Sequence, residues 1–352
     1  MIRFAWRQAR SQTLIAFGAL AAAAIALVVT GVRLANVYDK VIGPCSAAGC
    51  SDSTINNFLT NQHTLWIWLG IVVAVVPGLL GIFWGAPLVA REIETGTYRL
   101  VWTQSVSRTR WIATRLGLGL VASMTVAAVS SAMVTWWAHP LDRVRLDAFG
   151  AFDERNIVPI GYAALAFVLG VVAGVLIRRT LPAIGAVVVG FTALRLSINT
   201  WIRPSLLSPS HISTALDGGR IGFGSTDGGP MTLFPESPPL PNAWVYSTNI
   251  VDAAGHPITR AAVTSACPTL GVDLPRPGPV PAGGAVRVQA PDDAKNALHT
   301  CVDKLSATYH TLTTYQPANH YWPLQWLELA VYVGAALALA AGCIWWIRHR
   351  LA

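Results

Sequence analysis

The stretch REIETGTYRLVWTQSVSRTR, residues 91–110, decides how the rest of the chain is read, because it is a polar, basic interruption between two long apolar runs. Apolar sequence of spanning length on both sides means hydrocarbon on both sides. Within the stretch, Arg91, Glu92 and Glu94 precede Thr95, Gly96 and Thr97, and Arg99 and Arg108 follow, so a helix-breaking turn sits between charges of both signs. Two readings fit: a docking surface on the cytoplasmic side, or a solvated loop holding its orienting arginines.

Composition points the same way. Of 352 residues, 53% are hydrophobic and only 12% charged, and the mean hydropathy is +0.48, values that belong to an integral membrane protein. The net charge of +8 does not mark a nucleic-acid binder, since the arginines sit at the ends of apolar runs instead of on one soluble face. They orient spans or meet anionic lipid headgroups. Lysine occurs only at Lys40, Lys295 and Lys304, none in a phosphate-binding loop context. Any ATP that drives this chain is therefore held by another polypeptide.

Working outward, residues 1–12 carry Arg3, Arg7 and Arg10 with Phe4 and Trp6, the pattern of an amphipathic helix at the headgroup level on the cytoplasmic side. Apolar runs at about 13–32, 65–89, 111–137, 160–177, 182–201 and 324–347 each suit one crossing. Pro77 predicts a kink in the second. Gly170 and Gly174 in the fourth offer close helix approach, more in keeping with ordinary packing than with a dedicated dimer seam. The expected fold is an all-α polytopic membrane protein: crossings one to five within 13–201, with the loop 91–110 as coupling segment, then a disulfide-bearing extracytoplasmic domain at 202–322, and a sixth crossing with a short tail in 323–352. An even number of crossings puts both termini on one side, and the arginines there make it the cytoplasm. The loop 139–159 conflicts with that rule, because Arg143, Arg145 and Arg155 fall outside.

Four cysteines, Cys45, Cys50, Cys267 and Cys301, lie in segments assigned outside, which predicts two disulfides, Cys45 to Cys50 and Cys267 to Cys301, with crossed pairing left open by spacing. The periodicity of Ala294, Leu298, Val302, Leu305, Tyr309 and Leu312 predicts a helix over 292–313. His299 and Asp303 on it lack metal-ligand spacing, and a solvated face is the favoured reading. No catalytic set can be singled out. Arg195 and Glu328 share a depth near the outer ends of their spans, where an ion pair between them would offset much of the burial penalty of either alone; with Asn199 and Gln325 they form either an outer polar lock or a static brace.

A basic start, six crossings, Glu92-Ile-Glu94-Thr-Gly96-Thr between spans two and three, and Ser105-Val-Ser-Arg108 before the third together resemble the type-2 permeases of ATP-binding-cassette (ABC) exporters, in the form common in actinobacteria. The resemblance extends over the whole chain, with a longer external insert between the last two spans. It implies a non-enzymatic transmembrane subunit in the cell membrane whose segment around Glu92 to Gly96 forms a coupling helix seated on a separate ABC ATPase, with Arg91, Thr95, Thr97, Arg99 and Arg108 as further coupling residues. ATP and Mg would be bound by that partner, and this chain needs no cofactor of its own. A second permease copy or a paralogue would complete a dimer, with membrane lipid as surroundings and no nucleic acid. The cargo expected is hydrophobic or amphiphilic. A different class, a membrane sensor or mechanical transmitter coupling an ATPase to an extracytoplasmic ligand, shares the same coupling loop; an anchored external enzyme is disfavoured by the missing catalytic set.

Overall fold

The computed structural model describes residues 2–45, 49–94, 108–224, 232–268 and 292–350. They form two compact units, Met1–Leu207 with Asn319–Ala352, and Ser208–Ala318. Among the described residues, six helices are long and apolar enough to cross a membrane.

In the first unit, α1 (Ile2–Val41) is one helix, so the basic start is continuous with the first crossing. Helix α2 (Asp52–Leu80) passes through a wide π turn, Gly81–Gly85, into α3 (Ala86–Glu94). The irregularity expected at Pro77 is thus followed, one turn on, by a widened turn with i→i+5 bonding. Helix α4 (Arg108–Arg145), α5 (Val158–Ile177) and α6 (Thr180–Ser197) follow, and a second π turn, Ile198–Ile202, leads α6 into the short α7 (Arg203–Leu206). After α8 (Arg260–Ala266) and α9 (Asp292–Ser306) of the second unit, α10 (Tyr321–Arg350) returns to the bundle.

Helix α5 is the axis of the bundle. Its residues are apolar nearly all round, and most from Val158 to Val175 are buried, as expected of a helix surrounded by others. Neighbouring backbones reach it through glycine. A Cβ on Gly81 would stand 2.5 Å from the Ala166 carbonyl oxygen, and one on Gly174 2.6 Å from that of Ala86. Gly85 and Gly170 are equally close to the Phe167 and Gly81 carbonyls. The Gly170–Gly174 pair is therefore used inside the chain, against the π turn, as ordinary packing of small residues.

Two ends of the bundle can be distinguished. At one, α1, α2 and α4 continue beyond the apolar runs and enclose Leu34, Ile42, Phe58, Trp137 and Leu141, with Cys45 and Cys50 bonded at 4.9 Å between Cα atoms. The same end holds a 3-10 turn, Phe149–Glu154, that leads into α5. Glu94, Arg110 and Arg179 lie at the other.

The second unit corrects the all-α expectation. Strands β1 (Ser210–Ala215), β4 (Trp244–Asp252) and β5 (Tyr309–Gln316) make an antiparallel sheet in the order β1-β5-β4, and β2 (Ile221–Gly224) pairs with β3 (Thr232–Pro235). The helix expected to Thr313 ends at Ser306. Tyr309 and Leu312 fit a helical count but lie in a threonine-rich run, Thr311, Thr313 and Thr314, whose β-branched side chains favour a strand. Leu298, Val302 and Leu305 of α9 pack with Leu216, Ile221 and Ile250, and Cys267 is bonded to Cys301 at 5.1 Å between Cα atoms.

Candidate functional site

A buried charge cluster stands at the Asp153 end of the first unit. Arg195, Asn199 and Arg203 recur every fourth residue, so helical spacing brings them to one side of α6 and α7. The 3-10 turn supplies Asp153, the second turn of α5 supplies Tyr162, and α10 supplies Gln325 and Glu328. Arg203 grips Glu328 with two bonds, Nε to Oε2 at 2.6 Å and Nη2 to Oε1 at 2.7 Å. Its Nη2 also donates to Asp153 and, at 3.2 Å, to the Tyr162 hydroxyl. That hydroxyl lies 2.9 Å from Glu328 Oε1 and 2.9 Å from Asp153 Oδ1.

Asn199 Nδ2 donates to Asp153 Oδ2 at 2.9 Å. Arg195 donates to the Ala74 carbonyl at 3.0 Å and has its Nη2 3.8 Å from Asp153, with the guanidinium 4.7 Å above the Tyr162 ring. Gln325 caps the start of α5: its Oε1 accepts from the amides of Ile157 and Val158 at 3.3 and 3.1 Å, and its Nε2 donates to the Phe152 carbonyl at 3.2 Å. All four expected lock residues therefore gather here, but Arg195 and Glu328 are not partners. Glu328 has none of its side chain exposed, and its counter-charge is Arg203. The expectation failed because the fifth span does not stop near Trp201; the helix runs on through the π turn and carries Arg203 to Glu328.

The pairing is electrostatically complete: Arg195 and Arg203 face Asp153 and Glu328. Ions removed from water at this depth persist only with such matched partners. Burial works to raise the Asp153 carboxyl, but Arg203, Asn199 and Arg195 outweigh it and hold it below the ordinary range. Its neighbour Glu154 moves the other way, pushed up by burial despite Arg155 and Arg195. Arg155 turns inward, donating to the Val134 carbonyl at 2.6 Å with its other nitrogen 3.8 Å from Asp142. Arg145 lies 3.9 Å over the Trp66 ring. These contacts remove part of the conflict over loop arginines, since Arg155 is a structural ion and not a solvated one.

At the opposite end, the acidic residues of the 91–110 stretch are engaged within the chain. Glu92 pairs with Arg115 of α4, whose guanidinium also lies 4.7 Å over the Trp111 ring. Glu94 Oε2 accepts from both the Thr180 hydroxyl at 2.8 Å and the Thr180 amide at 3.2 Å, so a carboxylate caps the start of α6. These bonds to Thr180 hold the Glu94 carboxyl below its ordinary range. Both acids thus brace α3 against its neighbours, a use that sequence did not indicate. Arg91 is exposed on the same helix. Thr95, Gly96, Thr97 and Arg99 lie outside the described residues, and Arg108 begins α4.

Arg203, Asp153 and Tyr162 escaped the sequence reading. Arg203 follows an exposed Trp201 and precedes Pro204, which reads as the end of a span; the signal that marks it is its four-residue spacing from Asn199 and Arg195. Asp153 sits among other loop acids with nothing local to separate it.

The first unit, with its helix-bracing acids Glu92 and Glu94 and its buried charge cluster, can be set beside known sequences. No curated protein and no solved structure matches the chain. A family described as ABC-2 membrane transporter related matches residues 17–203, a stretch that contains the first five crossings, the capped α6 start and most of the charge cluster. That match takes in more than half of the sequence, and the chain belongs to the ABC-2 membrane transporter related family.

Proposed function

We propose that this chain is the transmembrane permease subunit of an ATP-driven exporter, moving a hydrophobic or amphiphilic compound out of the cytoplasm or inner leaflet. The family match carries the transport reading. In this reading the Glu94 end faces the cytoplasm and docks on ABC ATPase subunits that bind ATP and Mg, while the Asp153 end and Ser208–Ala318 face outward. The balance of exposed basic side chains supports that sidedness: Arg91, Arg110, Arg178, Arg179 and Arg348 are exposed at the Glu94 end, against Arg33, Lys40 and Arg143 at the other, where Arg155 and Arg203 are buried. Two copies of the chain, or one copy and a paralogue, enclose the path. Arg195, Asn199, Arg203, Gln325, Glu328 and Asp153 then form the lock at its outer mouth.

A photo-crosslinking residue in place of Arg91 tests the docking. In native membranes it should trap a nucleotide-hydrolysing subunit, and inverted vesicles holding that complex should accumulate an amphiphilic dye only with ATP. Failure to trap any hydrolase, together with ATP-independent dye distribution, overturns the reading.

A further inference from the structure

Helix α6 is tied at both ends to the features described above. Its first residue, Thr180, is held by Glu94 through amide and hydroxyl, and its last turns, continued by the second π turn and α7, carry Arg195, Asn199 and Arg203 into the charge cluster. Between those ends α6 buries only a narrow stripe, Ala183, Val187 and Phe191, while Leu181, Val188, Val189 and Leu196 are exposed. The contrast with α2 and α3 is physical. They meet α5 backbone to backbone through Gly81, Gly85, Gly170 and Gly174, a close-packed seam that leaves little room for one helix to slide past the other. Helix α6 is less encumbered, and its π turn is the kind of irregularity at which helices yield.

We propose that α6 is the strut through which a displacement of the Glu94 end reaches the outer charge cluster, with Glu94 as the positioning residue that engages it through Thr180. This rests on the exporter reading and names the route within it. When the coupling end is drawn toward an ATPase, the cap pulls Thr180, and the strain falls at Ile198–Ile202. There Arg203 separates from Glu328 in α10, opening the outer mouth. Glu94 acts through its carboxylate oxygen as an acceptor, so an amide oxygen at the same place keeps the engagement.

The test uses the full chain with the ATPase that copurifies from its membranes, in liposomes, with Trp201→Cys as reporter on the exposed side of the π turn. Maleimide labelling at that cysteine should change severalfold when nucleotide is trapped. The change should disappear in Glu94→Ala, weaken in Thr180→Val, which keeps the amide bond, and persist in Glu94→Gln. A merely structural cap would slow or unfold all variants without abolishing the nucleotide response selectively. A response undiminished in Glu94→Ala overturns the strut while leaving the exporter reading intact. No response in the chain that keeps Glu94 and Thr180 also overturns the strut, and the exporter reading is then decided separately by ATP-dependent dye accumulation in the same liposomes. Because Glu94→Ala could fail to fold, Thr180→Val, which removes one hydroxyl and leaves Glu94 in place, gives a second measure: a nucleotide effect on labelling at Trp201→Cys equal to that in the Thr180 chain also overturns the strut.

Discussion

Arg203 is the residue on which the buried charge cluster depends. Glu328 is completely enclosed, so Arg203→Met strands a carboxylate in a dry site, a change that costs about 3–5 kcal/mol. The expected result is a marked fall in the midpoint of thermal unfolding in detergent. Adding Glu328→Met should recover most of it, because an apolar pair of similar volume replaces both ions. Arg195→Ala should cost far less, since Asp153 retains Arg203 and Asn199; a loss equal to that of Arg203→Met would show the two arginines to be equivalent. The adjacent acids predict opposite responses to pH. The folded-state carboxyl of Asp153 is depressed, so its contribution is present above the unfolded value, about 3.9, and is lost as pH falls through the folded one. The stability gap between the natural chain and Asp153→Asn should be constant at neutral pH and close below about pH 4. Glu154 is raised, so its ionisation opposes folding once pH climbs past the unfolded value, about 4.3. Glu154→Gln should therefore be more stable than the natural chain at neutral pH, with the advantage vanishing in acid; denaturant unfolding across pH reads both.

At the level of elements, the sequence showed each crossing but not its full length. Hydropathy marks only the portion in hydrocarbon, and α1, α2 and α4 stay helical past it because residues such as Phe58, Trp137 and Leu141 continue a buried stripe among polar neighbours. For the same reason Arg203 was assigned to the domain that follows, and the cluster was read with the wrong pair. Arg195, Asn199, Gln325 and Glu328 could be found because polar groups at span depth are few; Asp153 and Tyr162 could not, since their role depends on where a 3-10 turn folds back. The glycine seam was half visible: Gly170 and Gly174 carry a spacing, but their partner, Gly81–Gly85, is recognisable only once the two helices touch. That seam predicts a contrast. Gly170→Ala places a methyl against the Gly81 carbonyl and the Ala86 amide, backbone atoms that cannot step aside, and should destabilise the chain by about 1–3 kcal/mol. Gly185→Ala meets nothing within 4 Å and should leave the unfolding midpoint unchanged or slightly raised, as alanine is the better helix former. Equal effects at the two positions would mean that the close approach has no energetic weight.

At the scale of the whole molecule, tryptophan and arginine define how the first unit lies in a bilayer. Trp326 and Trp345 are both exposed and are separated along α10 by about 29 Å at the helical rise, close to the hydrocarbon thickness of about 30 Å. Trp68, Trp136, Trp201 and Trp322 are also exposed near the Asp153 end, where indole rings suit the interface. Glu328 is less than one turn inside Trp326, so the charge cluster sits just beneath the headgroups, where polar groups can be separated at lower cost than at mid-membrane. In the proposed sidedness, the exposed arginines at the opposite end lie in the cytoplasm. Cysteines substituted for Arg179 and for Ser265, both exposed, should report opposite sides: an impermeant maleimide reaches Ser265→Cys in intact cells and Arg179→Cys only after permeabilisation. The free Cys343 is buried and adds little background. The reverse pattern would turn the acidic end of α3 outward, away from any cytoplasmic ATPase, and would leave the buried arginines on the side where solvated ones belong.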